Sequence, residues 1–187
     1  MDRANEDLSA VRTMRDLLAV LPQRGSVRWI GVRPARAEPM LVVSSAQLDI
    51  GGGVRGDRYR GNADSKRQVT LIQAEHLEVV ARLLQRHDVD PALVRRNLVV
   101  AGINLLALQR AKFSIGAVVL EGTGPCHPCS RMENALGAGG YNAMRGHGGI
   151  TARVLVAGTV RCEDPVALLE AEQRGVTDGP AARTTTS

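Results

Sequence analysis

The segment Gly124-Pro125-Cys126-His127-Pro128-Cys129-Ser130-Arg131 places two thiols three positions apart, with an imidazole between them and a guanidinium just beyond. Three chemistries use such a pair. A structural zinc site would take both sulfurs as half of a tetrahedral set, with Cys162, His127 and His147 as candidates for the rest. The chain has no second close cysteine pair to complete it. A thioredoxin-like redox pair would sit where a helix N-terminus acidifies a thiol. A helix could begin near Ser130, but no βαβ unit precedes the segment. In the third chemistry one thiolate is a single soft metal ligand or a sulfur carrier, and an organic cofactor fills the rest of the site. A buried cysteine pair with no chemical role is the plain alternative to all three.

Other residues could hold an anion beside these sulfurs. Arg95-Arg96-Asn97 enters a strand and could form a fork on phosphate, with the Asn amide reading a polar edge; a solvated charge pair is the alternative. Asp57-Arg58 follows Gly51-Gly52-Gly53 and Gly56, and could equally be a turn closed by a local side-chain hydrogen bond. Five glycines surround Arg145 and His147 in the run Gly139 to Gly149. Such a loop offers backbone N–H groups and a cation to an anionic ligand, although it matches neither a dinucleotide fingerprint nor a P-loop. No Ser/His/Asp set or paired carboxylates stand out.

Composition narrows the partners. The chain has 187 residues, enough for one domain with a real core. Only 2% of residues are aromatic, so the core is aliphatic and few platforms exist for stacking bases. The net charge is +5, and of 24 basic residues only Lys66 and Lys112 are lysines, leaving 22 arginines spread along the chain. Arginine suits fixed contacts to phosphate or carboxylate, so a small anionic cofactor explains the charge as well as a nucleic acid does. Nucleic acid is therefore not expected as the main partner. No hydrophobic run is long enough to span a membrane and the first ten residues are polar, so a cytoplasmic protein with no membrane partner is expected.

The elements that must position these groups are short. Leu8, Val11, Met14, Leu17, Leu18 and Leu21 recur at helical spacing, which predicts an amphipathic helix over Asp7 to Leu21, packed outside the main domain and stopped by Pro22. Strands are expected at Val27–Arg33, Met40–Ser44, Gln68–Ile72, Asn97–Val100 and Ala117–Glu121. Thr151–Ala157 and Thr159–Cys162 read as a closing hairpin. Leu77, Val80, Ala81 and Leu84 mark one face of a helix over Ala74–Arg86, and Gly137–Gly149 reads as a loop. Many short strands with one clear internal helix predict a mainly β, β-rich α+β domain. The division expected is 1–24 for the N-terminal helix, 25–168 for the domain, and 169–187 for a polar, largely disordered tail.

Taken in order, Gly56-Asp57-Arg58, the run Gln68 to Glu75, Arg95-Arg96-Asn97-Leu98-Val99-Val100, Gly116 to Glu121, the cysteine segment and the Gly140-to-Arg153 stretch resemble the MOSC domain family, named for the C-terminal domain of molybdenum-cofactor sulfurase. The resemblance covers about residues 25–168. It implies a β-barrel with peripheral helices, and a cysteine that carries sulfur or binds the molybdenum of a pterin cofactor. The matching cysteine is Cys129, the catalytic and metal-binding candidate. Arg95 and Asn97 match the family's cofactor-contacting Arg-x-Asn, and Asp57, Arg58, Thr70 and Glu75 match family positions. With Arg131, Arg145 and His147, the cofactor-binding candidates are Asp57, Arg58, Thr70, Arg95 and Asn97. The resemblance implies a molybdenum-pterin protein that reduces N-hydroxylated substrates with electrons from a separate electron-donor protein. Its alternatives are a persulfide carrier loaded by a cysteine desulfurase, or a non-catalytic cofactor-binding module. The pyridoxal-phosphate desulfurase domain of larger members is missing from this sequence, so pyridoxal phosphate is not expected with this chain alone.

Overall fold

The computed structural model describes residues 13–169. In chain order these form α1 (Met14–Ala19), β1 (Gly25–Val32), β2 (Leu41–Val43), β3 (Ser45–Asp49), β4 (Gly53–Val54), β5 (Val69–Gln73), α2 (Ala74–Leu83), α3 (Pro91–Val94), β6 (Leu98–Ala101), a 3-10 turn (Leu105–Leu108), β7 (Lys112–Ile115), β8 (Val118–Pro125), α4 (Ser130–Leu136), α5 (Gly140–Ala143), β9 (Ile150–Val156), β10 (Gly158–Arg161) and β11 (Pro165–Leu168).

Seven strands close a barrel in the order β11-β7-β8-β9-β5-β6-β1, with β1 pairing back onto β11. Closure removes the exposed edges that an open sheet would present. The β5–β6 pair is parallel and the other pairs in the ring are antiparallel. A parallel pair needs a long crossover, which here is the stretch containing α2 and α3. Strand β2 hangs on β1 outside the ring, and β10, β3 and β4 form a separate small sheet.

Alternation decides what each strand buries. Leu71 of β5 and Leu98 and Val100 of β6 point into the barrel with Val27, Ile30, Phe113, Leu120 and Val154. Their neighbours Ile72 and Val99 point outward and are buried under Leu77, Val80 and Ala81 of α2, together with Met132, Leu136 and Met144. Both faces of β5 and β6 are thus covered, which is why their sequences read as continuous apolar runs rather than as alternating ones. The second core also fixes α4 and α5, the helices that carry the cysteine segment and the glycine-rich loop.

Three of the expected elements come out differently, and β3, β4, β7, β11, α3 and α4 are additional to those expected. The N-terminal helix is described only from Met14 to Ala19, with residues 7–12 outside the described residues, and Met14, Leu17 and Leu18 are exposed. Only Leu21, beyond the helix, packs on the barrel core. Strands β9 and β10 are not a hairpin: β10 pairs with β3. One residue, Ala157, separates them, too few for the two-residue turn a tight hairpin needs, so the chain bends into the other sheet instead. The run Gly137–Gly149 is not all loop, because Gly140–Ala143 is helical. The tail from residue 170 lies outside the described residues. Among the described residues no helix is long and apolar enough to cross a membrane.

Candidate functional site

Strand β1 ends at Val32, and Arg33 follows where β5 and β6 begin. The Arg33 guanidinium forks onto Asp57, with Nε 2.8 Å from Oδ2 and Nη2 3.0 Å from Oδ1. Asp57 also accepts the backbone N–H groups of Arg33 and Tyr59 and, at 2.8 Å, the side-chain amide of Asn97. Asn97 Oδ1 in turn accepts from the Thr70 hydroxyl at 2.8 Å and from the Thr70 N–H. Asp57, Thr70 and Asn97 are buried. Burial would push the Asp57 carboxyl up, but the Arg33 bonds and charge hold it below its ordinary pKa. Three of the residues expected to bind a cofactor therefore spend their polar atoms on one another. They form a polar frame between β1, β5 and β6, and Arg33, which the sequence reading passed over, closes it.

Arg95 and Arg96 divide the work between them. Asp90 caps α3 through the Ala92 N–H, and the helix ends at Arg95 in a left-handed conformation, φ 56°. That turn sends the two side chains to different places. Arg95 stays partly exposed and donates to the Glu38 carbonyl. Arg96 is buried and donates to three carbonyls: Gly148 at 2.9 Å, Val94 at 2.7 Å and Cys126 at 3.2 Å. It ties the glycine-rich loop to the cysteine segment through a single guanidinium. A side chain could not be added at Gly148, where a Cβ would stand 2.1 Å from the Cys126 carbonyl oxygen.

The two cysteines are unequal. Cys126 is 1% exposed, its N–H bonds the Gly149 carbonyl, and Arg67 Nη2 lies 3.2 Å from its sulfur. Cys129 is exposed at the start of α4, in extended conformation, and its side chain caps nothing. Both are free thiols. Burial lowers the Arg96 pKa, Arg67 and Arg33 add to that, and the sulfurs of Cys126 and Cys129 oppose it. Both sulfurs are thus within electrostatic reach of the same guanidinium.

Four arginines lie within electrostatic reach of one another around the turn at Arg95, and one of them, Arg131, follows Cys129 by two residues. Burial and then the charges of Arg33, Arg131 and Arg58 lower the Arg95 pKa, against the weaker pull of Asp57. Of these four only Arg33 has a carboxylate partner. Elsewhere Arg28 pairs with Glu163, Arg55 with Asp49 and Arg153 with Glu121. Like charges held together without counter-ions favour the approach of an anion.

The remaining candidates, Arg145 and His147, lie on the glycine-rich loop. Arg145 is exposed on the loop. His147 packs its ring edge-on against His76 of α2, with 5.1 Å between centroids, and the Nδ1 atoms of both are buried without a partner. The loop's N–H groups are largely spent internally. Glu133 takes those of Gly139 and Tyr141, while Ala143, Met144, Arg145 and His147 bond back into the turn. Glu75 accepts from the Gly102 N–H, a structural bond that holds the end of β6. Beside the cysteines, a cavity of about 160 Å³ is lined by Cys126, His127, Pro128, Gly146 and Gly148 among others. Among the described residues no three His, Cys, Asp or Glu side chains gather as a metal site.

The fold is shared by solved bacterial proteins. YuaD from Bacillus subtilis superposes with a TM-score of 0.66 at 16% identity, covering 79% of this chain and 97% of that one. YiiM from Geobacillus stearothermophilus gives 0.62 at 17% identity, with 82% and 77% covered. YiiM from Escherichia coli gives 0.60 at 19%, with 78% and 70% covered. At these identities the likeness speaks for the fold alone. No curated protein matches the chain. The family model of the MOSC domain matches residues 39–167, from β2 through most of β11, and takes in both clustered cysteines and every residue of the polar frame and the arginine cluster except Arg33. This chain belongs to the MOSC domain family.

Proposed function

We propose that the protein binds a molybdenum-pterin cofactor and removes oxygen from an N-hydroxylated substrate, with electrons supplied by a separate donor protein. The observation that carries this reading is an exposed thiol, Cys129, two residues before Arg131, which belongs with Arg58 and Arg95 to a group of guanidinium groups that lack carboxylate partners among the described residues. A metal held there finds one sulfur and no set of three ionisable ligands among the described residues. That donor set suits a soft metal whose other ligands come from an organic, anionic cofactor. The residues present therefore fit such a group.

When bound, the cofactor supplies two-electron redox chemistry and an acceptor for the substrate oxygen. The chain's own residues do the rest. Cys129 offers its sulfur as the metal ligand. Arg58, Arg95 and Arg131 balance the cofactor's negative charge, and Arg145 lies exposed for its outer end. Arg33, Asp57, Thr70 and Asn97 fix the wall from which Arg58 and Arg95 reach out. Arg96 holds the cysteine segment against the glycine-rich loop. The net change is reduction of R–NHOH by two electrons and two protons to R–NH2 and water, with solvent as the proton source at the exposed thiol.

The test is molybdenum analysis and pterin fluorescence on protein purified from cells that make the cofactor. Both should co-purify with the wild type and be lost in Cys129→Ala. Finding neither in the wild type overturns the reading. A gain of sulfur mass on Cys129 after incubation with a cysteine desulfurase and cysteine, with no metal, would instead assign a persulfide carrier.

A further inference from the structure

The charge of this chain is concentrated around its site. Arg33 bonds Asp57, the Arg58 N–H bonds the Arg33 carbonyl, Arg95 bonds the Glu38 carbonyl, Arg96 bonds Cys126, and Arg67 reaches the Cys126 sulfur. These contacts bring segments 33–40, 57–67, 95–97 and 125–131 together. With Arg96 and the Arg33–Asp57 pair turned inward, they present seven wholly or partly exposed bases (Arg36, Arg58, Arg60, Lys66, Arg67, Arg95 and Arg131) against two exposed acids, Glu38 and Asp64, a surplus of five. The whole chain is +5, so everything else sums to zero.

Arg58, Arg95 and Arg131 suffice for a small anion, which leaves three exposed bases around it whose charge no carboxylate among the described residues answers: Arg36, Lys66 and Arg60, the last donating only to the Asp57 and Tyr59 carbonyls. We infer that this surface is the docking face for an acidic electron-transfer protein carrying a flavin or an iron–sulfur centre, an inference that rests on the reductase reading above. A basic rim steers an acidic partner to the exposed side of the site, where electrons must enter, and raises the association rate. Nucleic acid fits less well. Only 2% of residues are aromatic, which leaves few platforms for stacking bases.

The experiment compares the full-length protein with the triple variant Arg36→Glu, Arg60→Glu, Lys66→Glu, whose thermal melt must match the wild type. A variant that melts lower is replaced by the neutralising set Arg36→Gln, Arg60→Gln, Lys66→Gln. The probes are an acidic plant-type ferredoxin and an acidic flavodoxin, with duplex DNA as a third ligand, and the readout is the association rate by surface plasmon resonance. The wild-type rate on at least one redox protein should fall with salt, and the charge reversal should lower it roughly tenfold at low salt. No salt-dependent association with either redox protein, equal rates for wild type and variant, or tighter charge-dependent binding of DNA overturns the inference. A parallel assay with reduced viologen as donor separates the two ideas. Turnover with viologen but charge-independent docking removes only the docking face, whereas docking without turnover on any N-hydroxylated compound removes the reductase reading.

Discussion

Arg33 and Asp57 form a two-pronged ion pair, at 2.8 and 3.0 Å, in which the carboxylate side chain is 1% exposed and the guanidinium 15%. Neither residue is spare. Asp57 holds Arg33, Asn97 and the turn at Tyr59, and Asn97 holds Thr70, so one carboxylate organises the ends of three strands.

Asp57→Asn should therefore act on stability before it acts on chemistry. It leaves Arg33 buried without its counter-charge, which costs on the order of 3–5 kcal/mol. The wild-type pair also sets an acid limit. The Asp57 pKa is lower in the folded protein than in the unfolded chain, so its contribution is complete above the unfolded value and is lost as pH falls through the folded one. Urea melts from neutral pH down to below the ordinary carboxylate range should show wild type losing stability there and Asp57→Asn losing less.

The neighbours Arg95 and Arg96 should behave oppositely. Arg96→Met strands three buried carbonyls and should cost on the order of 3 kcal/mol. It should also open Cys126 to iodoacetamide, because the Cys126 and Gly148 carbonyls lose their common clamp. Arg95→Ala gives up one exposed bond to Glu38 and should shift stability by less than about 1 kcal/mol. It should weaken cofactor retention instead. Denaturant midpoints and peptide-mapped alkylation distinguish the pair.

In the wild type, alkylation should separate the cysteines in a fixed order. Exposed Cys129 should react first, half-buried Cys162 next, and Cys126 last. If the proposed molybdenum-pterin cofactor binds, loading the protein with it should protect Cys129 alone. Protection of Cys126 with Cys129 still reactive would place the ligand on the wrong sulfur.

These contrasts show what the sequence could carry. The β-rich class was legible because many short apolar strands are separated by turn residues and because Leu77, Val80 and Ala81 mark one helix face, while the barrel with peripheral helices was what the family resemblance implied. The parting of β9 from β10 was not, since pairing partners far apart in the chain leave no local signal. Asp57, Thr70 and Asn97 could be picked as special, but not as partners of one another. Arg33 reads as the last residue of the strand Val27–Arg33, with nothing local to mark its pairing with Asp57. Which of Arg95 and Arg96 goes inside depends on one left-handed residue, and nothing in the side chains announces it.

Glu133 gives the glycine-rich loop its own sensitivity to acid. Its two carboxylate oxygens each accept an N–H at 2.8 Å, one from Gly139 and one from Tyr141, so α4, which begins just after Cys129, holds the first turn of α5. Those backbone bonds, that of Tyr141 before that of Gly139, keep the Glu133 carboxyl below its ordinary pKa. A carboxyl whose folded pKa is depressed stabilises the loop above the unfolded value and releases it as pH falls through the folded one. Amide exchange at Gly139 and Tyr141, corrected for intrinsic rates, should therefore be slow at neutral pH and should quicken below the ordinary glutamate range. Glu133→Gln should exchange quickly at both pH values while global unfolding changes little, because the amide keeps one acceptor oxygen where two N–H groups need one each. If the variant and the wild type protect these amides equally at neutral pH, Glu133 does not hold the loop, and the coupling between the Cys129 helix and Arg145 must run through the Met132 and Met144 packing instead.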